Sequence, residues 1–300
     1  MHVLGVDVGG THLRAASADA RGTVLAERCE RAGELTGPRL AARVGGLAAE
    51  LCPDGPSVVV VGLPGPVARD GEVGHMVNAR GLNGVPVRAL LQEEFDALVV
   101  VENDVTLAAL GEQRRGRGRA AQDVAFIAVG TGVGMGIVAG GRILRGAHGG
   151  AGEIGLLPLG PDRVGSDPRE LGPLEATAGG AGLAARWQAH TGQPASGRDV
   201  FGAASAGDAF AVGLLDEQAR ALAMGVRAVQ ALLDPQLILF GGGIGVRHDV
   251  FARVQAALTA HGLPLPELQL SVLRERAGVV GAIEAGLEVM HSSPGVAAKG

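Results

Sequence analysis

Residues 4–16 constrain this chain more than any other stretch, because their pattern occurs twice. The apolar run ending at Val8 suits a buried strand, Gly9-Gly10 supplies the backbone freedom of a tight turn, and Leu13 to Ala16 return as a second strand. After the turn at Arg21-Gly22, Thr23 to Arg31 read as a third strand. The same order comes back at Val124 to Val129 (strand), Gly130-Thr131-Gly132-Val133-Gly134 (turn) and Met135 to Ala139 (strand), with Gly140-Gly141 turning into Arg142-Ile143-Leu144. Such a turn is expected to leave backbone N–H groups free beside one carboxylate, Asp7, and one hydroxyl, Thr11, which suits phosphate oxygens and a hydrated magnesium ion. One hairpin of this kind is as readily structural as functional. Two copies imply a duplicated fold with a phosphorylated ligand held between the halves.

At 300 residues the chain is long for a single core, so two lobes of roughly 150 residues each are expected. The Gly/Arg run from Arg114 to Arg119 marks the boundary and reads as a solvated linker. It gives a first lobe over 1–115, joined by a closing helix in 278–300, and a second over 116–277. Within the first lobe, Pro38 opens a helical pattern through Leu40, Val44, Leu47 and Leu51. Ser57 to Leu63 is an all-apolar central strand, broken by Pro64-Gly65-Pro66. Pro86 opens a helix over Val87, Leu90, Leu91 and Phe95, and Ala97 to Val101 is the next buried strand. That strand runs into Glu102-Asn103-Asp104, ahead of a helix expected from Val105 to about Arg114. Ligands of open α/β sheets gather beyond the carboxyl ends of strands, so Asn103 and Asp104 are the best polar site candidates of this half. The alternative is that Asp104 only caps the helix.

In the second half, Gly152-Glu153-Ile154-Gly155 and Gly172-Pro173-Leu174-Glu175 place two carboxylates in glycine-rich surroundings, with an aperiodic loop from Pro158 to Arg169 between them. Helical patterns cover about Leu174 to His190, Asp208 to Leu233, His248 to Ala260 and Gly278 to Met290. Gln236 to Phe240 is a strand leading into a third glycine turn, Gly241 to Gly245. No turn completes the dinucleotide fingerprint, since Met135 and Val246 stand where its third glycine belongs; a dehydrogenase is therefore not expected. Lys299 is the only lysine and lies in the tail, which removes a Walker-type phosphate loop and Schiff-base chemistry. An aromatic content of 2% without tyrosine and a net charge of -5 argue against nucleic-acid or membrane partners. Cys29 and Cys52 are too few for a disulfide framework or a four-cysteine zinc site. With no leader and no apolar run long enough for a membrane span, a cytoplasmic location is expected.

The chain resembles the ROK sugar kinases (repressor, open reading frame, kinase) of the actin and hexokinase fold class. The resemblance runs from Gly5 to about Gly286. It rests on the order and spacing of Asp7-Val-Gly-Gly-Thr11, Glu102-Asn-Asp104, Gly130-Thr-Gly132, Arg145-Gly-Ala-His-Gly-Gly-Ala-Gly-Glu153-Ile-Gly155, Leu174-Glu175 and Leu239-Phe-Gly-Gly-Gly243. It implies an α/β protein of two RNase H-like lobes with sugar deep in the cleft and ATP spanning the lobes. Asp104 matches the family's general base. Asn78, Asn103, Glu153 and Glu175 match residues that bind the sugar hydroxyls, and Gly65 joins them as a substrate-side candidate. Gly9, Gly10 and Thr11, Gly130, Thr131 and Gly132, and Gly242 and Gly243 match the nucleotide contacts, with magnesium near Asp7 through water. A homodimer is implied as well.

The chain also departs from the family. Relatives hold a structural zinc with three cysteines and a histidine that follows Gly-Glu-Ile-Gly. Here Leu156 takes the histidine position, the connecting loop has no cysteine, and Pro173 takes the last cysteine position, so no zinc site is expected. His148 matches a position outside the zinc set. Leu82 stands where glucokinase relatives often carry Trp. The expected activity is ATP-dependent phosphorylation of a hexose, glucose to glucose 6-phosphate first. Fructose, mannose, N-acetylglucosamine or another N-acetylhexosamine are alternative substrates, and a catalytically silent sugar-binding regulator is the alternative of a different class. Only three residues precede Leu4, which disfavours a DNA-binding repressor.

Overall fold

The computed structural model describes residues 1–68, 71–74, 80–159, 171–260, 264 and 266–292. Its frame is two sheets of the same design. In the first, β1 (His2–Val8), β2 (His12–Asp19) and β3 (Val24–Arg31) form an antiparallel meander, and β4 (Val58–Leu63) and β5 (Leu98–Asn103) add in parallel, in the order β3-β2-β1-β4-β5. In the second, β6 (Val124–Val129), β7 (Val133–Ala139) and β8 (Arg142–Ile143) form the meander. Strands β9 (Leu237–Gly241) and β10 (Leu268–Leu270) then add in parallel, giving β8-β7-β6-β9-β10. The duplication read from the two glycine hairpins is thus a duplication of whole sheets, each with the RNase H-like order.

Helices fill three layers around these sheets. On the outer face of the first lie α1 (Gly37–Leu51) and α2 (Val87–Glu94). Pro38 presets the first turn of α1, and Leu40, Val44, Leu47 and Leu51 are buried at helical spacing. Between the sheets run α3 (Asp104–Arg115) and α10 (Ala277–Ser292). Leu107 and Leu110 of α3 pack with Val279 and Ile283 of α10 and with Val3, Val58 and Val60 of the first sheet. The other side of α3, Ala108 and Ala109, packs with Val124, Phe126 and Val138 of the second sheet. Both helices are buried on two sides, and they cross where glycines let their backbones meet. A Cβ on Gly281 would lie 1.7 Å from Leu107 O, and one on Gly111 would lie 2.4 Å from Ala277 O. The outer face of the second sheet is covered by α4 (Pro173–Ala178), α5 (Gly180–Thr191), α6 (Gly197–Ser205), α7 (Ala209–Leu233) and α9 (His248–Thr259). The single turn α8 (Gly242–Gly245) follows β9.

Four expectations need correction. The run from Arg114 to Arg119 is not a solvated linker: α3 continues through Arg115, and Arg114 and Arg115 form ion pairs with Glu288 and Glu284 of α10. The stretch from Leu174 to His190 is two helices, because Gly179 adopts an extended conformation and the amides of Gly180 and Ala181 turn to the carbonyls of Gly130 and Thr131. The third glycine turn is the helical turn α8, with Gly242 in the left-handed region at φ 75. Helix α6 and strand β10 were not expected at all. Asn78, most of the Pro158–Arg169 stretch and Lys299 lie outside the described residues. Among those described, no helix is long and apolar enough to cross a membrane.

Candidate active site

The carboxyl ends of β1, β4 and β5 lie side by side, with Asp7, Gly62 and Glu102 in register. Gly62 opens the space between the outer two strands: a Cβ there would lie 3.4 Å from Asp104 Cα and 2.9 Å from Leu107 Cδ1. Across this gap the half-buried carboxylate of Asp7 feels the charge of Asp104. Burial, then the charge of Asp104, lifts Asp7 from 3.8 to about 7, opposed by Arg14 opposite it on β2. Burial lifts Asp104 to about 6, outweighing the hydrogen bond from Val105 N–H at 2.8 Å that favours its ionised form. A carboxylate at a helix N-terminus normally ionises easily, so the upward shift shows that desolvation dominates here.

Asp104 is the first residue of α3, not its cap. The cap is Asn103, whose Oδ1 accepts from Thr106 N–H at 2.8 Å while its Nδ2 donates to Gly65 O at 3.0 Å. Asn103 therefore fixes the first turn of α3 and the loop at Gly65. The N-terminal turn of α3 lies directly on β7, where a Cβ on Gly136 would be 2.3 Å from Val105 O. That contact sets Asp104 of the first lobe against the strand that leaves the second Gly-Thr turn.

From the second lobe come Glu153 and Glu175. Glu153 is raised by burial and by the charges of Asp104 and Glu175, which puts all three carboxylates in one electrostatic neighbourhood. Glu175 is raised by burial, partly offset by the hydrogen bond from Val133 N–H at 3.4 Å. The segments of Leu156 and Pro173 meet by direct packing. A Cβ on Gly172 would lie 2.3 Å from Gly155 O and 2.7 Å from Leu156 Cα, and Pro173 starts α4. Leu156 is 61% exposed.

The phosphate-type turns are less open than expected. Gly9 N–H closes its own turn on His12 O at 2.9 Å, and Gly130 N–H does the same on Gly132 O at 2.9 Å. Gly10 and Thr11 are exposed at the tip of the first turn. Gly130 and Thr131 direct their carbonyls to the start of α5, while α8 closes in from the side, with a Cβ on Gly242 only 2.4 Å from Val129 O. Gly130, Thr131, Gly132, Gly242 and Gly243 therefore form one wall at the ends of β6 and β9. Among the described residues no group of three or more His, Cys, Asp or Glu is placed to hold a metal. For a magnesium ion the described residues offer Asp7, a half-buried carboxylate whose raised proton affinity a cation would relieve.

Sequence reasoning missed Gly278, Gly62 and the partner of Glu102. A Cβ on Gly278 would lie 2.6 Å from Asp7 Cγ, so only glycine lets α10 begin against that carboxylate. Glu102 is 5% exposed and pairs with Arg145 of the second lobe.

Compared with known proteins, residues 3–285 match the ROK family. This chain belongs to the ROK family. A glucokinase of Halalkalibacterium halodurans is 35% identical over 246 residues, 74% of this chain and 73% of that protein. An N-acetylmannosamine kinase of Escherichia coli is 31% identical over 291 residues, 94% of this chain and 97% of its own length. Among solved structures, a ROK hexokinase from Thermus thermophilus superposes with a TM-score of 0.84 at 28% identity, covering 98% of this chain and all of that one. The ROK chain thus has the two-lobed actin and hexokinase architecture.

Proposed function

We propose that this ROK protein is a sugar kinase that moves the γ-phosphoryl group of ATP to the 6-hydroxyl of an aldohexose, with Asp104 as general base. The observation that carries the reading is Asp104 itself: a carboxylate held at about 6 by burial, at a strand end between the lobes, with Glu153 near enough to feel its charge and Glu175 near Glu153. As the hydroxyl oxygen bonds to phosphorus, its proton passes to the Asp104 carboxylate and ADP departs with the electrons of the broken P–O bond. Ionised Glu153 and Glu175 accept hydrogen bonds from the other hydroxyls and fix which oxygen reaches Asp104. Gly10 and Thr11 from one side and Gly130 to Gly132 from the other supply amide and hydroxyl donors to the phosphates, with Gly242 and Gly243 beside adenosine. Magnesium at Asp7 would neutralise phosphate charge.

Glucose is the leading substrate, by likeness to the H. halodurans glucokinase. An N-acetylhexosamine is the second reading. It draws on the longer match to an N-acetylmannosamine kinase and on Leu156, whose exposed apolar side chain replaces an imidazole. A coupled ADP-release screen over hexoses and amino sugars tests both. Turnover on glucose with none on N-acetyl sugars favours the first, the reverse pattern favours the second, and no ADP release on any sugar overturns the kinase reading.

A further inference from the structure

Alternation along β5 puts Val100 and Glu102 on the face that looks toward the second lobe, where Val100 packs in the same cluster as Ile143 of β8. Two residues beyond Ile143, Arg145 reaches back and donates from Nε to Glu102 Oε2. The other oxygen of Glu102 accepts from Asn103 N–H at 3.0 Å, one residue before Asp104. The Glu102 carboxylate therefore touches the base-bearing turn of one lobe and a guanidinium of the other.

Arg145 is also the foot of a loop. Ala151 N–H donates to Arg145 O at 3.1 Å, closing residues 145–151 into a ring, and Met135 N–H donates to Gly152 O at 3.0 Å, tying the end of the ring to β7. Glu153 is the next residue. At the far side of the ring, Gly149 (φ 75) rests on the first lobe, where a Cβ would lie 2.1 Å from Val67 O. The ring so spans from Arg145 to Gly149 across the lobe boundary and delivers Glu153 at its exit. On its other flank is a cavity of about 670 Å³ lined by β5 and residues 143–147, which leaves the Arg145 side chain 46% exposed while that of Glu102 is 6% exposed. A pair so unevenly solvated contributes little net stability but fixes geometry, because the buried carboxylate has a strong preference for its one cation.

We infer that Glu102 and Arg145 are positioning residues, an interlobe latch that holds the 145–152 ring against β5 and thereby sets Glu153 at the distance from Asp104 that the sugar requires. The inference rests on the sugar-kinase reading for its purpose, but not for its geometry.

The test uses the full chain with Arg145→Gln, Arg145→Lys, Glu102→Gln and the Glu102→Gln/Arg145→Gln double variant. Hydrogen–deuterium exchange at residues 145–153 needs no knowledge of the sugar. It is expected to quicken by about tenfold in both glutamine variants, with α7 unchanged and Arg145→Lys still protected. On the sugar identified by the screen, KM for sugar should rise by about tenfold while kcat and the nucleotide KM stay within about threefold, and the double variant should be no worse than the poorer single one. Unchanged exchange at 145–153 overturns the latch. So do effects that add in the double variant, or a loss spread evenly over kcat, both KM values and α7 protection. A wild-type protein inactive on every sugar removes the functional reading only, and the exchange pattern then decides the latch.

Discussion

Asp104 combines two demands that oppose each other. As a base it must be ionised, yet its surroundings favour the proton, so kcat/KM is expected to rise with pH through about 6 and level off above it. A pH–rate profile flat from 5 to 8 would remove Asp104 from that role. Asp104→Asn should lower turnover by roughly three orders of magnitude while equilibrium sugar binding, measured by calorimetry, changes little. The same shift acts on stability. The folded-state pKa lies above the ordinary value of 3.8, so the stability that Asp104 contributes is fully present below about pH 4 and is lost as pH rises through about 6. Asp104→Asn is therefore expected to melt at a higher temperature than the wild type at pH 8, with the difference vanishing near pH 4. The base, in other words, is held at a cost to the fold.

Helix α3 carries the first lobe's chemistry at one end and the crossing to the second lobe at the other. Near its C-terminus Glu112 is fully buried. Its Oε2 accepts from Arg117 N–H at 2.8 Å, on the outgoing chain, and its Oε1 accepts from Ser271 Oγ–H at 2.6 Å and Leu273 N–H at 2.8 Å, on the returning chain. Both crossings between the lobes are tied to one carboxylate, and Arg274, in the left-handed region at φ 51, donates its N–H to Ser271 Oγ at 2.8 Å. Glu112→Ala strands these donors and should lower the free energy of unfolding by about 3 kcal/mol in urea titrations. Gly116→Ala should also destabilise, since its Cβ would fall 1.9 Å from Glu112 Oε2. None of this was legible in the sequence, where Glu112 is one polar residue in a helical run and the Gly/Arg stretch after it looked solvated. The catalytic candidates were legible for the opposite reason: Asp104, Glu153 and Glu175 sit at breaks between periodic segments, where a carboxylate has no packing explanation. The capping role of Asn103 was not legible, because a short polar residue before a helix serves equally as ligand or cap, and only its partners Thr106 and Gly65 show the cap. Helix α6 starts at a reciprocal capping box of Ser196 and Asp199, but its apolar stripe is too short to show the periodicity by which a helix is read. Strand β10, at three residues, carries no pattern to read.

At the scale of the molecule, repetition made the fold legible: two glycine hairpins far apart in sequence point to a duplicated fold, and the structure shows the same strand order in both sheets. What repetition could not reveal is how the halves interlock through α3 and α10. Leu156 and Pro173, which stand where the resemblance expects zinc ligands, belong to this scale too, because their segments meet through backbone packing of Gly172 on Gly155. Activity is accordingly expected to survive a zinc-selective chelator when magnesium is in excess, and elemental analysis that finds one zinc per chain would contradict it.

The position of α10 has a further consequence, for the order in which the protein can be made. Val3, Ala16, Val58 and Val60 form an apolar sheet face on which Leu107 and Leu110 of α3 lie, but the rest of its cover, Val279, Ala282, Ile283 and Leu287, is translated only after the entire second sheet. A nascent chain thus completes the strands of its first sheet with that side covered only in part, by α3, and holds it so while more than half of the polypeptide is still to be synthesised. A chain released at residue 276 is expected to remain sticky, binding a hydrophobic dye and precipitating where the full chain stays clear. The first lobe is begun first and finished last.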